Sequence, residues 1–537
     1  MPAPAPPPEQ APEPQAPESE SPAEPNIPDT IVLAVSGPIV AVNPDGPGQN
    51  NLPSISAWLP SYDFLVDYRW PTSAEEIQAR LAEGPDALIQ PELAESWEIS
   101  EDGKVYTFAL RPGVISAFGN EFTAADVVWS VQKTFAAGAT GAFILSFIGG
   151  LSGPDAVRAI DDYTVEFTTS GQGLGGLLAA LGFKSGGSTL TIYDSTEVQA
   201  HATDTDPFAN DWLNDNTAGF GPYTITSISS GLDEVRMEVR PDYWRETPEI
   251  SEIVQRGIAE SSNRLQLLLA GEVHYAPELT PLELDEVEDS DVASITHIDE
   301  TTAAFLALTY APPWGSPEIR QAIARAIPYD DILEAVFRGR AQPLRSVLVP
   351  FMVGYTEQFW QYDTDIAAAR AVLELVDAPL TLAYADGLPV DEQIAVLVQA
   401  SLAEAGLEIE IEKQPRGTFD QRKYGKTGEL QFFVDVLDTP GIATPEYYFF
   451  IYGSKDGFLN FQSYNNPRLE EVIAEVRSSD PSVRDAAILE GQEIFLRDFP
   501  VHPIAWTGKD HAVANFIQIP YGHTANAILD WKDFRLV

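Results

Sequence analysis

PELAESWEISEDGKVYTFALRPGV, residues 91–114, followed by FTAADVVWSVQKTF, residues 122–135, is the stretch on which the fold turns. Its first part runs into a tight turn around Asp102 and Gly103, residue types that suit a sharp reversal. The run VYTFALR from Val105 reads as a strand. Thr123 then offers a helix N-cap, with Asp126 three residues on as an acidic form of the capping box. Val127, Val128, Val131 and Phe135 fall on one face of the helix that follows.

Working outward, AIDDYTVEFTT repeats the turn-then-strand pattern, with Tyr163, Val165 and Phe167 on one face. IVLAV, Ile31 to Val35, reads as a buried strand. GPYTITSI from Gly221 and DEVRMEVRPDYW from Asp233 read as the two arms of a hairpin. The second half is richer in helices. Ser316 and Pro317 make an N-cap and first-turn pair before Ile319, Ile323 and Ile327, and Pro328 stops that helix. Asp391 to Ala405 carries Ile394, Leu397, Val398 and Leu402 on one stripe. Gly406 follows as the C-terminal cap, and the alternating strand LEIEIE begins at Leu407. Asn466 and Asp480 cap helices that open at Pro467 and Pro481. Short strands and turns first, alternating helices and strands later, predict two unlike α/β lobes.

Composition narrows the function. The chain has 537 residues, 44% of them hydrophobic, enough for three or four domain-sized units with real cores. It carries 81 Asp plus Glu against 31 Lys plus Arg, a net charge of −50. Such a surface has no basic footprint for a phosphate backbone, so nucleic acid is excluded as a partner. A salt-rich habitat, where surface self-repulsion is screened, and an ordinary acidic mesophile both fit this charge. There is no cysteine, hence no disulfide, thiol nucleophile or thiolate metal site. Residues 1–28 are dominated by Pro, Ala and Glu and predict a solvated tether or a plain disordered tail. They lack the basic and apolar regions of a signal peptide; a chain beginning after a removed signal would look like this.

Catalytic motifs are sparse. Ser130 and Lys133 fit S-x-x-K, Lys426-Thr427-Gly428 is a KTG, and Ser463-Tyr464-Asn465 resembles the third element of penicillin-recognising enzymes. Their order is wrong, and chance explains them better. The six histidines, at 201, 274, 297, 502, 511 and 523, include no H-x-x-x-H pair, so no metal or other cofactor is called for. No nucleophile elbow, P-loop or dinucleotide fingerprint is present. The aromatics Trp58, Tyr62, Trp70, Trp314, Trp360 and the cluster Tyr447, Tyr448, Phe449, Phe450 and Tyr452 suit stacking on a ligand, but most are expected to fill cores.

Taken in order, these segments resemble the family 5 solute-binding proteins of ABC importers, the dipeptide and oligopeptide binders. The opening stretch is the most specific match. AIDDYTVEFT, GFGPYTITSI, VRPDYW, FLALTYAPPWGSPEIRQAIARAI and FQSYNNPRLEEVIAEV continue it, so the resemblance runs from Ile31 to about Trp506. It implies a two-lobed periplasmic-binding-protein-like α/β fold with an extra subdomain inserted in lobe one. Lobe one would run 29–300 with the insertion at about 58–165, lobe two 301–508, and 509–537 would return to lobe one. It also implies a monomer outside the cytoplasm, periplasmic and possibly tethered as a lipoprotein, with ABC permease subunits as partners.

The resemblance carries ligand contacts as well. Peptide binders of this kind hold the ligand's amino terminus on an Asp in a G-W-x-A-D-Y-like stretch. FFVDVLDTPGIATPEYYFF corresponds here, and Asp438 falls on that Asp, although it could instead cap the turn at Pro440. The aromatic three positions earlier is replaced by Asp435. Dipeptide binders carry an Arg for the ligand carboxylate before the helix at 391; this chain has Tyr384-Ala385-Asp386-Gly387 there. Arg416 and Arg422 could substitute in part, or lie on a solvated face. Tyr62 would face the cleft, Trp314 would lie near the hinge, and Asn460 would abut the site. The missing clamp leaves peptides, oligosaccharides and other polyhydroxylated or cationic solutes open. A hydrolase using Asp435 and Asp438 as paired carboxylates is the remaining alternative.

Overall fold

The computed structural model describes residues 27–537 except 48–50, 69–75, 77–79, 81–84, 139, 172–175, 185–188, 426–428, 438–443, 479, 520–522 and 525–528. Most of the Pro/Ala/Glu-rich segment, residues 1–26, and the KTG at 426–428 therefore lie outside the described residues.

The opening stretch folds locally, as its sequence predicts. Ala94–Ile99 and Val105–Leu110 pair antiparallel around the Asp102–Gly103 turn, and Thr164–Thr168 and Val157–Asp161 extend them to a four-stranded sheet. Helix Ala124–Ala137 packs against this sheet, with Val127 and Val131 fully buried. The Thr123 amide donates to the Asp126 carboxylate at 2.8 Å. Asp126 also accepts from Ser195, so the cap doubles as a tertiary contact. Ser130 and Lys133 are both buried. Ser130 accepts from the Tyr193 amide, and Lys133 pairs with Asp45 at 3.0 Å. Neither is free for chemistry.

Two larger sheets form the lobes. The first has eight strands, with Thr30–Val35 parallel to Glu252–Gly257 inside it. The hairpin of Tyr223–Ile228 and Glu234–Val239 closes one side. Near the other side, Lys509–Ala514 inserts between Tyr275–Ala276 and Ala293–Glu300. The second sheet has six strands around Ala303–Leu308, every residue of which is buried. Its far side is parallel: Thr381–Ala385 runs with both Glu410–Gln414 and Phe432–Leu437. The helix expected at 391–405 spans Pro389–Glu404, because Pro389 can occupy the first turn. Within the second lobe Arg320 is fully buried and donates to the carbonyls of Thr309, Trp314, Asp498 and Phe499.

The chain passes between the sheets twice, at 300–303 and at 506–509. The two crossings hold each other. Trp506 Nε1 donates to the Glu300 carbonyl at 2.6 Å, and the Thr507 amide donates to the Thr302 carbonyl at 3.1 Å. Gly508 takes a φ of +53°, and a Cβ there would meet the Ile298 carbonyl at 2.7 Å.

A buried charge cluster ties Lys532 to residues 63–92, far away in the sequence. Lys532 Nζ lies 2.9 Å from Glu92 and 3.2 Å from Asp63. Asp63 also accepts from Tyr243 and from Trp244 Nε1, and Glu92 from the Phe64 amide. Burial raises both acids. For Asp63 it wins, to about 6, despite Lys532. For Glu92 the two cations Lys532 and Lys184 outweigh burial and hold the carboxyl at about 2.

Candidate ligand-binding cleft

In an α/β sheet, ligands bind beyond the carboxyl ends of the parallel strands, where helix N-termini also converge. In lobe two the three parallel strands end at Ala385, Gln414 and Leu437, and helices Pro389–Glu404 and Arg416–Tyr424 start just past two of them. Asp435 sits at this edge, 8% exposed, with Lys423 Nζ 3.2 and 3.0 Å from its two oxygens. Burial raises the Asp435 carboxyl and Lys423 opposes it. Lys423 is walled by the rings of Phe419, Tyr424 and Phe461.

Asp391 stands at the start of its helix, 2% exposed, and one of its oxygens has no hydrogen-bond partner. Burial, then the nearby Asp435 charge, pushes its carboxyl up to about 7, against a smaller pull from Arg416 and Lys423. Gln414 closes the neighbouring strand, equally buried, with neither amide atom bonded.

Lobe one contributes a cavity of about 40 Å³ beside the crossings, at the carboxyl ends of Thr30–Val35 and Tyr275–Ala276. Ser36, Ser56, Tyr275, Glu278, Lys509 and His511 are among its walls. His511 Nδ1 pairs with the Tyr275 hydroxyl at 3.0 Å, and its Nε2 is 4.0 Å from the fully buried Glu300 carboxylate. Farther out the lobes touch directly. Phe147, on helix Thr140–Phe147, meets Phe450 of helix Pro445–Gly453 with ring centroids 4.3 Å apart, and Phe143 meets Phe458 at 6.0 Å.

Of the residues expected at the site, the structure brings Asp435, Arg416 and Tyr384 to this edge of lobe two. Arg416 is half-exposed and bound to Asp420 at 2.8 Å. Tyr384 is buried on strand Thr381–Ala385 among the apolar side chains beneath helix Pro389–Glu404. Arg422 turns away and pairs with Glu412 and Glu429. Asp438 lies outside the described residues.

Three expectations need correction. Tyr62 is a core residue of lobe one: fully buried, edge-on to Trp58 and Tyr193, its hydroxyl accepting from the Ala218 amide. Trp314 is buried in the core of lobe two. Asn460 is spent on its own loop, donating to the Ser454 and Tyr464 carbonyls and accepting from the Tyr464 amide. Each was placed by sequence neighbourhood, which does not say which way a side chain points. Both Asp435 oxygens are held by Lys423, so this acid is a poor half of a hydrolytic pair. Lys423 itself was missed beside Arg422. The available signal was spacing: Phe419 and Lys423, four apart, share the buried face of their helix.

Known proteins place this architecture. The family described as bacterial extracellular solute-binding proteins, family 5 Middle, matches residues 89–460. The chain is 26% identical over 449 residues to the probable D,D-dipeptide-binding periplasmic protein DdpA of Escherichia coli, covering 82% of this chain and 81% of that one. It is 27% identical over 504 residues to di/tripeptide-binding protein 2 of Pseudomonas aeruginosa, covering 85% and 90%. Among solved structures, Helicobacter pylori DppA in complex with the peptide STSA superposes with a TM-score of 0.75 at 24% identity, over 94% of this chain and 98% of that one. No helix among the described residues is long and apolar enough to cross a membrane. With two lobes, a double crossing between them and charged groups gathered at the strand ends, this chain belongs to the family 5 bacterial extracellular solute-binding proteins of ABC importers.

Proposed function

We propose that the chain captures peptides between its lobes and delivers them to the membrane subunits of an ABC permease. The observation that carries this is the lobe-two edge, where buried charged groups gather at the ends of three parallel strands within a transport family. The peptide-binding names of the two relatives and the peptide in the Helicobacter complex favour peptides over sugars. On this reading lobe one takes 29–300, with its insertion at about 58–165, and 509–537; lobe two takes 301–508. Asp438, which falls on the amine-binding Asp of the peptide binders the sequence resembles, anchors the ligand's amino terminus, since a carboxylate and a ligand ammonium form a charge-assisted pair. A peptide touching both lobes stabilises the closed form by its differential affinity for it. The protein works outside the cytoplasm as a monomer, with residues 1–28 as its tether.

A thermal-shift screen against peptide and oligosaccharide pools tests this. A ligand at 100 times its Kd adds about 2.7 kcal/mol to the folded state, a visible rise in Tm. Peptides are expected to raise the Tm, and Asp438→Ala to remove the rise. A rise with sugars alone retires the peptide reading.

A further inference from the structure

The charged groups at the lobe-two edge do not balance. Lys423 neutralises Asp435, and Arg416 is bound to Asp420. Asp391 is left over. No Lys or Arg nitrogen among the described residues is within ion-pair distance of it, and one of its oxygens is buried without a donor. A buried carboxylate without a counter-charge costs several kcal/mol, and a fold retains one only where something else repays that cost.

A second, uncharged group makes the same demand. Ala383 lies opposite Phe433 and Ala385 opposite Gln414 in the parallel ladder. Side chains on one face alternate by two, so Gln414, Phe433 and Asp435 point from the same face, with the small methyls of Ala383 and Ala385 between them. Helix Arg416–Tyr424 covers that face through Phe419 on Phe433 and Lys423 on Asp435. Yet the side-chain amide oxygen and nitrogen of Gln414, and one Asp420 oxygen, have no partner. Unpaired buried polar atoms are rare in folded proteins and cost about 1–3 kcal/mol each. Several of them at one strand edge, in a protein built to hold a solute there, mark contacts that the solute completes.

We propose that Asp391 and Gln414 form a subsite for a cationic group of the ligand, an ammonium or guanidinium seated on Asp391 with a neighbouring polar group on Gln414. The subsite rests on the peptide reading above and adds a preference within it, for peptides carrying a basic side chain. The ligand's own amino terminus is the other source of the same chemistry. A cation lowers the raised Asp391 carboxyl, so its binding near neutral pH expels a proton that a neutral ligand does not. The charged groups facing Asp391 are Asp435, Arg416 and Lys423, and the latter two limit the effect.

The test is titration calorimetry on wild type and Asp391→Asn with Ala-Ala-Ala, Ala-Lys-Ala and putrescine, in two buffers of different ionisation enthalpy. Wild type is expected to bind Ala-Lys-Ala on the order of tenfold more tightly than Ala-Ala-Ala, the size of one charge-assisted hydrogen bond, with proton release. Asp391→Asn removes the preference and the release. If the variant instead weakens both peptides equally with loss of proton release, the cation is the amino terminus and the subsite stands. Equal binding of both peptides to wild type, unchanged in the variant, overturns the subsite and leaves the peptide reading intact. If neither peptide binds, the peptide reading falls. The subsite is then decided by putrescine: binding lost in Asp391→Asn upholds it, and no binding to wild type overturns it.

Discussion

Two of the regions that bury carboxylates, one in each lobe, treat them differently. In lobe one, Asp63 and Glu92 have a donor on every oxygen, from Lys532, Arg245, Tyr243, Trp244 and the Phe64 amide. In lobe two, Asp391 is as deeply buried and has an oxygen with none. Burial alone therefore does not distinguish Asp63 and Glu92 from Asp391; the partner inventory does. The lobe-one cluster joins segments far apart in sequence, as a fastening would. Even there one acid is left over: Asp533 is pushed up to about 7, by burial first and then by Asp530.

The contrast can be broken by mutation. Lys532→Met should cost about 3–5 kcal/mol in urea or thermal unfolding, because it strands buried Asp63 without its cation and leaves Glu92 with Arg245 alone in ion-pair contact. A loss under about 1 kcal/mol would mean the cluster is not a fastening. Asp391→Asn should move stability the other way, raising that of the ligand-free protein by about 2 kcal/mol at pH 8. The sign follows from the raised carboxyl. Between about pH 4, where the unfolded chain loses this proton, and about 7, where the folded chain does, the folded state holds a proton that the unfolded state has released. Stability therefore falls as pH rises through that window. The wild-type and Asp391→Asn melting curves should converge below about pH 4 and separate above it. Phe147→Ala is the smallest change: loss of the ring contact with Phe450 removes about 1 kcal/mol from the contact between the lobes. Small-angle scattering should then report a larger radius of gyration for the ligand-free protein, with the Tm of each lobe nearly unchanged.

What could be read in advance followed the range of the interactions. The turn at Asp102–Gly103, the Thr123–Asp126 cap and the helices opening at Pro317, Pro467 and Pro481 are set by neighbours a few residues apart, so the sequence predicts them. Tyr62 and Asn460 lie in recognisable neighbourhoods, yet their side chains are spent on the core and on a loop, a matter of direction that spacing does not encode. Asp391 reads in sequence as an ordinary acid in the first turn of a helix. Its solitude arises only when residues 391, 416, 423 and 435, from three separate segments, converge.

The double crossing has a consequence for how the chain is made. Lobe two is continuous in sequence, from Ala303 to Trp506, whereas the first sheet needs Lys509–Ala514 slotted between strands made more than 200 residues earlier. A ribosome delivers the amino end first. The nested lobe thus has all its strands while its host still has an open seam, and that seam closes only after the whole nested lobe has been made. Ribosomal order makes the outer lobe the late one, and a chain stopped short of residue 509 would lack the strand that completes it.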